Sequence, residues 1–178
     1  MKTYVDQHDL SSSFLGFRVS RLLDIIIEQG DDYLAQAGIV FPARINSTIL
    51  LIDEYSEVST NDIAGKLGHP HQLVAQRVEL LLSLKLVTRV PDPYDNRRKV
   101  LKLTSKGKAQ VKLLRRCLTD ASSAFDRLFQ ELGVDLNQTL DNAYAAFLNQ
   151  SLFERVHNLH TNQKKVAAAR VGAGSDAR

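Results

Sequence analysis

The sequence predicts a mainly α-helical chain with one small β-hairpin, an α+β fold in which long helices flank a compact lobe. Apolar residues recur at three- and four-residue spacings through most of the 178 residues, the period of amphipathic helices. Only residues 86–90 and 100–103 break that period. They are short runs rich in branched side chains, and they bracket the turn-formers Pro91, Asp92, Pro93, Asp95 and Asn96, the pattern of two strands and their connection.

Leu10, Phe14, Phe17, Leu22, Ile26, Tyr33 and Leu34 predict one long helix over residues 10–37, ending near Gly38. Pro42, preorganised for a first helical turn, opens a helix running to about Glu54 through Ile45, Ile49 and Ile52. Ser59-Thr60-Asn61-Asp62 has the form of a capping box, a hydroxyl with an acid three residues on. A short helix over residues 60–67 follows. Gly68 ends it, since glycine enters a left-handed turn without steric cost. Pro70 starts the next helix, which carries Val74, Val78 and Leu81 on one stripe to about Leu84. Two short helices joined by a tight glycine turn make a helix-turn-helix, and the hairpin directly after it makes a wing. Beyond Thr104, Val111, Leu114, Leu118, Ala121, Phe125, Leu128 and Leu132 form the seam of a long helix that packs lengthwise on another. Gly133 stops it. A last helix over residues 135–160 carries Leu136, Leu140, Tyr144, Phe147, Leu152 and Val156. Residues 164–178, Ala, Gly and charge with no core residue larger than valine, read as a poorly ordered tail. The expected organisation is a single domain over 1–163. Residues 40–106 form its winged helix-turn-helix lobe, and 10–38 with 107–160 form helices long enough to need a partner.

Composition excludes several classes. Hydrophobic content of 44% with 24% charged residues is ordinary for a globular chain. The one cysteine, Cys117, rules out a disulfide framework within the chain and reads as a small core residue. No apolar leader follows a basic start, and no apolar run approaches the ~20 residues that span a bilayer. The expectation is a cytoplasmic protein. His69-Pro70-His71 and His157-x-x-His160 stand without the acids or cysteines that complete a zinc site. No nucleophile with a paired base and no glycine-rich phosphate loop occurs, so the reading is a non-enzyme with neither metal nor cofactor.

Charge is segregated. Residues 85–116 hold eleven Lys and Arg against Asp92 and Asp95, a net +9 in a chain of net +3, whereas residues 1–84 carry −5 and 117–178 carry −1. Such a chain offers one face to a polyanion and keeps its other surfaces from adhering. A helix-turn-helix places its second helix in the DNA major groove, whose base edges carry a unique donor and acceptor code. The face away from the Val74 stripe presents His71, Gln72, Ala75 and Gln76. Glutamine can bond adenine in a bidentate way, and alanine can touch a thymine methyl. Beside that helix the wing supplies Arg97, Arg98 and Lys99 to phosphates or the minor groove, with Asp95 expected to hold the Arg97 guanidinium in one rotamer. Arg77, beside the buried stripe, reaches either a phosphate or an acid. With Thr60 and Asn96, the candidate DNA-contacting set is Thr60, His71, Gln72, Ala75, Gln76, Asp95, Asn96, Arg97, Arg98 and Lys99. A rival reading makes Leu73, Leu80, Leu82 and Leu84 an apolar docking surface and the module a protein-binding one.

Leu67-Gly68, Val74 to Leu81, Leu86-Val87-Thr88-Arg89, Asp92-Pro93-Tyr94-Asp95-Asn96-Arg97 and Leu101-Lys102-Leu103-Thr104-Ser105-Lys106-Gly107 together resemble the MarR-type winged helix-turn-helix transcription regulators, over about residues 10–160. The resemblance implies a homodimer held by its first and last helices, most simply a repressor, that binds a pseudo-palindromic operator. It also implies a small-molecule effector bound between dimer helices and DNA-binding lobe, for which Arg18, Arg21, Tyr33 and Arg44 are the candidates. Tyr94 stands where the family frequently has Arg, and Lys85 where it usually has Gly.

Overall fold

The computed structural model describes residues 3–55, 57–95 and 97–161. It divides into two compact units, Met1–Ser122 and Ser123–Arg178. The expected tail at 164–178 lies outside the described residues.

The first unit begins with α1 (Tyr4–Gln7), closed by a capping box between Thr3 and Asp6, and α2 (Leu15–Gln36). The helix expected from residue 10 does not start there. Ser11–Phe14 forms a 3₁₀ turn instead, with the Ser13 hydroxyl donating to the Leu10 carbonyl at 2.7 Å. Three successive serines compete for backbone groups with their hydroxyls, so regular α-helix starts only after them.

A 3₁₀ turn, Ala43–Ile45, leads into α3 (Asn46–Glu54). Then come α4 (Thr60–Leu67) and α5 (His71–Ser83). The capping box read from the sequence is present: the Asp62 N–H donates to the Ser59 hydroxyl at 3.3 Å, and the Ser59 N–H to the Asp62 carboxylate at 2.7 Å. Gly68 takes φ 61° between α4 and α5, the left-handed conformation that makes the turn tight. The hairpin pairs β1 (Val87–Pro91) with β2 (Lys99–Leu103) antiparallel, Val87 opposite Leu103 and Pro91 opposite Lys99. Each strand sits within a residue or so of its expected span. The Leu101 N–H donates to the Val58 carbonyl at 2.8 Å, which ties the hairpin to the segment before α4.

The core of this unit is one cluster. Ile49, Ile63, Val74, Val78, Leu81 and Leu86 in it are fully shielded, each worth about 1.5–3 kcal/mol of transfer from water. Cys117 is a buried member of the cluster.

A junction fixes where the hairpin leaves the helices. After α5 the chain closes with Leu86 N–H to Leu81 carbonyl at 2.9 Å and Lys85 N–H to Leu82 carbonyl at 2.9 Å. That is a Schellman pair, and its turning residue is Lys85 at φ 58°. Thr104 then caps α6 (Ser105–Leu132): its hydroxyl accepts from the Gly107 N–H at 3.0 Å and donates to the Lys85 carbonyl at 2.8 Å. A Cβ at position 107 would lie 2.0 Å from the Leu86 carbonyl oxygen. Only glycine lets the first turn of α6 lie against the start of the hairpin.

In the second unit Gly133, at φ 66°, ends α6, and Asp135 caps α7 (Leu136–Asn149) by accepting from the Gln138 N–H at 3.0 Å. The single last helix expected to residue 160 is interrupted at Gln150–Ser151. Ser151 and Glu154 form a fresh capping box, with Ser151 N–H to Glu154 carboxylate at 2.8 Å and Glu154 N–H to Ser151 hydroxyl at 3.3 Å. Residues 152–161 make α8. The apolar period runs through Ser151 unbroken, which is why periodicity alone joins the two helices. The Arg155 guanidinium donates to the carbonyls of Ala146 and Gln150, bonding α8 back to the end of α7 across the interruption; the Ala146 carbonyl also accepts the Gln150 N–H at 3.1 Å.

Candidate nucleic-acid interface

Helix α5 presents two faces. Val74, Val78 and Leu81 are buried, while His71, Gln72 and Gln76 are exposed and Ala75 is half-buried. Thr60, also half-buried, opens α4. Arg77 turns inward: its guanidinium lies 3.0 Å from His69 Nδ1, and its Nε is shielded from solvent. Leu80, Leu82 and Leu84 pack against the core cluster. Of the four leucines of the docking surface considered above, Leu73 alone is exposed.

The wing departs from expectation at its acids. Asp95 does not hold the Arg97 guanidinium; its carboxylate accepts the Arg97 backbone N–H at 2.9 Å, and its carbonyl accepts the Arg98 N–H at 2.9 Å. The two residues are too close in a tight turn for the long side chain to fold back, so the short carboxylate takes the nearer donor. The cation that acids do hold is Arg98. Its guanidinium pairs with Asp62 at the start of α4 and lies 3.3 Å from Asp92. Asp92 is only 5% exposed, so its charge requires such a partner. It also accepts the Tyr94 N–H at 2.9 Å. Burial pushes the Asp62 carboxyl up, but hydrogen bonds from Ser59 and Arg98 outweigh it and leave the group below its ordinary value. The Asp62–Arg98 pair therefore joins wing to helix-turn-helix. Asn96 lies outside the described residues.

Internal pairing thins the basic segment further. Arg89 pairs with Glu79, Lys102 lies 3.6 Å from Glu57, and Arg115 reaches Asp53 at 2.9 Å and Glu54 at 3.4 Å. Sequence counting cannot find these pairs, since every acid involved lies outside the segment or in the wing turn. Among the described residues, Arg97 and Lys99 are the exposed wing cations without an acid partner.

Of the four effector candidates, Arg18 and Arg21 come together. Both reach Asp6, at 3.2 and 3.3 Å, beside a groove of about 530 Å³ that Leu22, Ile25 and Glu28 help to line. Hydrogen bonds from Thr3, then Arg21, bring the Asp6 carboxyl down to about 2. Tyr33 lies elsewhere, its hydroxyl donating to the Cys117 carbonyl at 3.4 Å. Arg44 is exposed in the turn before α3. Among the described residues no group of three His, Cys, Asp or Glu side chains could hold a metal ion, and no helix is long and apolar enough to cross a membrane.

No family model and no curated sequence matches the chain. Its architecture does match solved structures. The transcriptional repressor CouR bound to a 23-mer DNA duplex is 25% identical, with 79% of this chain and 96% of that one covered at a TM-score of 0.62. CouR from Rhodococcus jostii RHA1 bound to p-coumaroyl-CoA is 25% identical over 77% of this chain and 90% of that one, with a TM-score of 0.54. A MarR-family transcriptional regulator from Rhodococcus sp. RHA1 is 24% identical over 80% and 94%, at 0.53. The chain has the fold of the MarR-type winged-helix regulators. The turn at Lys85 and the close approach at Gly107 give physical content to one departure and one motif residue read in the sequence. The first is a residue forced into a glycine conformation, and the second is a glycine with no room for a side chain.

Proposed function

We propose that this chain is a MarR-type DNA-binding transcription regulator, a repressor rather than an enzyme, which binds a pseudo-palindromic operator as a homodimer. The observation that carries the reading is the pairing of two exposed surfaces on one lobe. One is the polar face of α5 with His71, Gln72 and Gln76, and the other is a wing on which Arg97 and Lys99 are left without acids. In this reading α5 enters the major groove and the wing follows the backbone beside it. Thr60 and Ala75 supplement these contacts, with Asn96 beside Arg97. Arg98 acts from behind, by holding the wing against α4.

Dimerisation through residues 10–38 and 107–160 is supported by apolar side chains left in water. On α2, Phe17, Leu22, Leu23, Ile25 and Ile26 are exposed, and on α7 and α8 so are Leu140, Tyr144, Phe147, Leu152 and Phe153. Surfaces of this kind mark association sites. CouR is a repressor whose structures include one with a DNA duplex and one with p-coumaroyl-CoA, which supports release by a small molecule here too. The groove at Arg18 and Arg21 is the candidate place for it.

Selection of bound sequences from random duplexes, repeated over a range of salt, tests the reading. The expected result is a two-fold-related consensus bound with strong salt dependence. Failure to bind any duplex overturns it.

A further inference from the structure

We propose that Tyr94 is the uncharged contact of the wing, its ring lying against a deoxyribose and its hydroxyl donating to a phosphate oxygen. The inference rests on the reading that the chain binds duplex DNA. It adds a contact that the count of cations does not contain.

Tyr94 is 91% exposed, more than any other large apolar side chain among the described residues. Such a ring contributes little to the fold, yet its backbone is held tightly. Its N–H donates to the Asp92 carboxylate at 2.9 Å, and Asp92 is itself buried against Arg98. The turn is crossed again by Asp92 N–H to Arg98 carbonyl at 3.0 Å and Arg98 N–H to Asp95 carbonyl at 2.9 Å. The described part of the wing turn is thus a hydrogen-bonded platform carrying an aromatic ring in water, with Arg97 exposed on the same turn, Lys99 exposed at the start of β2, and the intervening Arg98 drawn back to Asp62. A tyrosine on such a platform loses only two torsions on binding, so its contact area comes at low ordering cost. Its hydroxyl is a neutral donor of the kind that bonds phosphate oxygens without carrying sequence information.

This chemistry differs from that of a cation in a measurable way. A lysine or arginine on phosphate releases counterions and steepens the salt dependence, whereas a phenol does not. Affinity for a fixed duplex, measured over salt with the full chain, separates the two. Tyr94→Ala is expected to weaken binding roughly 10-fold on every duplex while leaving the slope of log K against log salt unchanged. Tyr94→Phe, which keeps the ring, is expected to lose about 3-fold. Thermal midpoints should match the parent, because the side chain is free of the core.

Wild-type affinity for Tyr94→Ala overturns the proposal. So does a loss confined to one base-pair position, which would put the ring on a base edge, or a flattened slope. A parent chain that binds no duplex overturns the DNA reading itself, which is a separate outcome visible before any variant is made.

Discussion

The Arg98 guanidinium stands 3.3 Å from the carboxylate of Asp92 and pairs with Asp62 as well, whereas Arg97, its neighbour, meets no acid among the described residues. Two adjacent arginines therefore have different duties. If Arg97 contacts phosphate once per protomer, Arg97→Ala should weaken binding to all duplexes and flatten the log K against log salt slope by about 2 per dimer, roughly 0.9 per contact. Arg98→Ala should flatten it by less than half as much and should instead lower the urea midpoint. Equal slope changes in the two variants would mean that the acid pairs open on the duplex.

Gly107→Ala tests the junction between hairpin and α6. The added carbon would sit 2.0 Å from the Leu86 carbonyl, so helix or hairpin must shift, at a cost on the order of 3 kcal/mol. Urea unfolding should show that loss without a change in m-value. A variant as stable as the parent would show that the junction yields easily.

Lys85→Gly runs the other way. At φ 58° a side chain costs about 1 kcal/mol that glycine avoids, and the Schellman bonds there use only backbone atoms. The variant should be more stable by about that amount, read as a higher thermal midpoint. An unchanged or lower midpoint would place a stabilising contact on the Lys85 side chain.

Acid should loosen the wing from α4. The Asp62 carboxyl is held below its ordinary value in the folded chain by hydrogen bonds from Ser59 and Arg98. Its contribution is therefore complete above about pH 4 and is lost as pH falls through the lowered folded value. Asp62→Asn should destabilise by about 1 kcal/mol near neutral pH, with Arg98 partly solvated. The gap between the two proteins should close in acid. A gap independent of pH would assign the effect to the hydrogen bonds of the cap rather than to its charge.

The sequence by itself determined the order of elements, the helix-turn-helix, the wing and the polar face of α5. Each of these rests on signals a few residues long: the Ser59 to Asp62 box, Gly68, the Val74–Val78–Leu81 stripe and the turn between two branched runs. It placed the start of α2 four or five residues early and ran the last helix through Ser151, because periodicity registers apolar spacing and not the local competition of serine hydroxyls for backbone bonds. What only the tertiary structure decided was which charges are free. Arg98 meets Asp62 from thirty-six positions away, Arg115 meets Asp53, and Leu80, Leu82 and Leu84 turn toward the core. Pairing of this kind depends on where the folded backbone brings distant side chains, and linear spacing carries no information about that. Asp95 and Arg97, two positions apart in sequence, share only a bond from the Arg97 backbone N–H to the Asp95 carboxylate, while the buried carboxylate of Asp92 needed a cation and the fold put Arg98 within its reach.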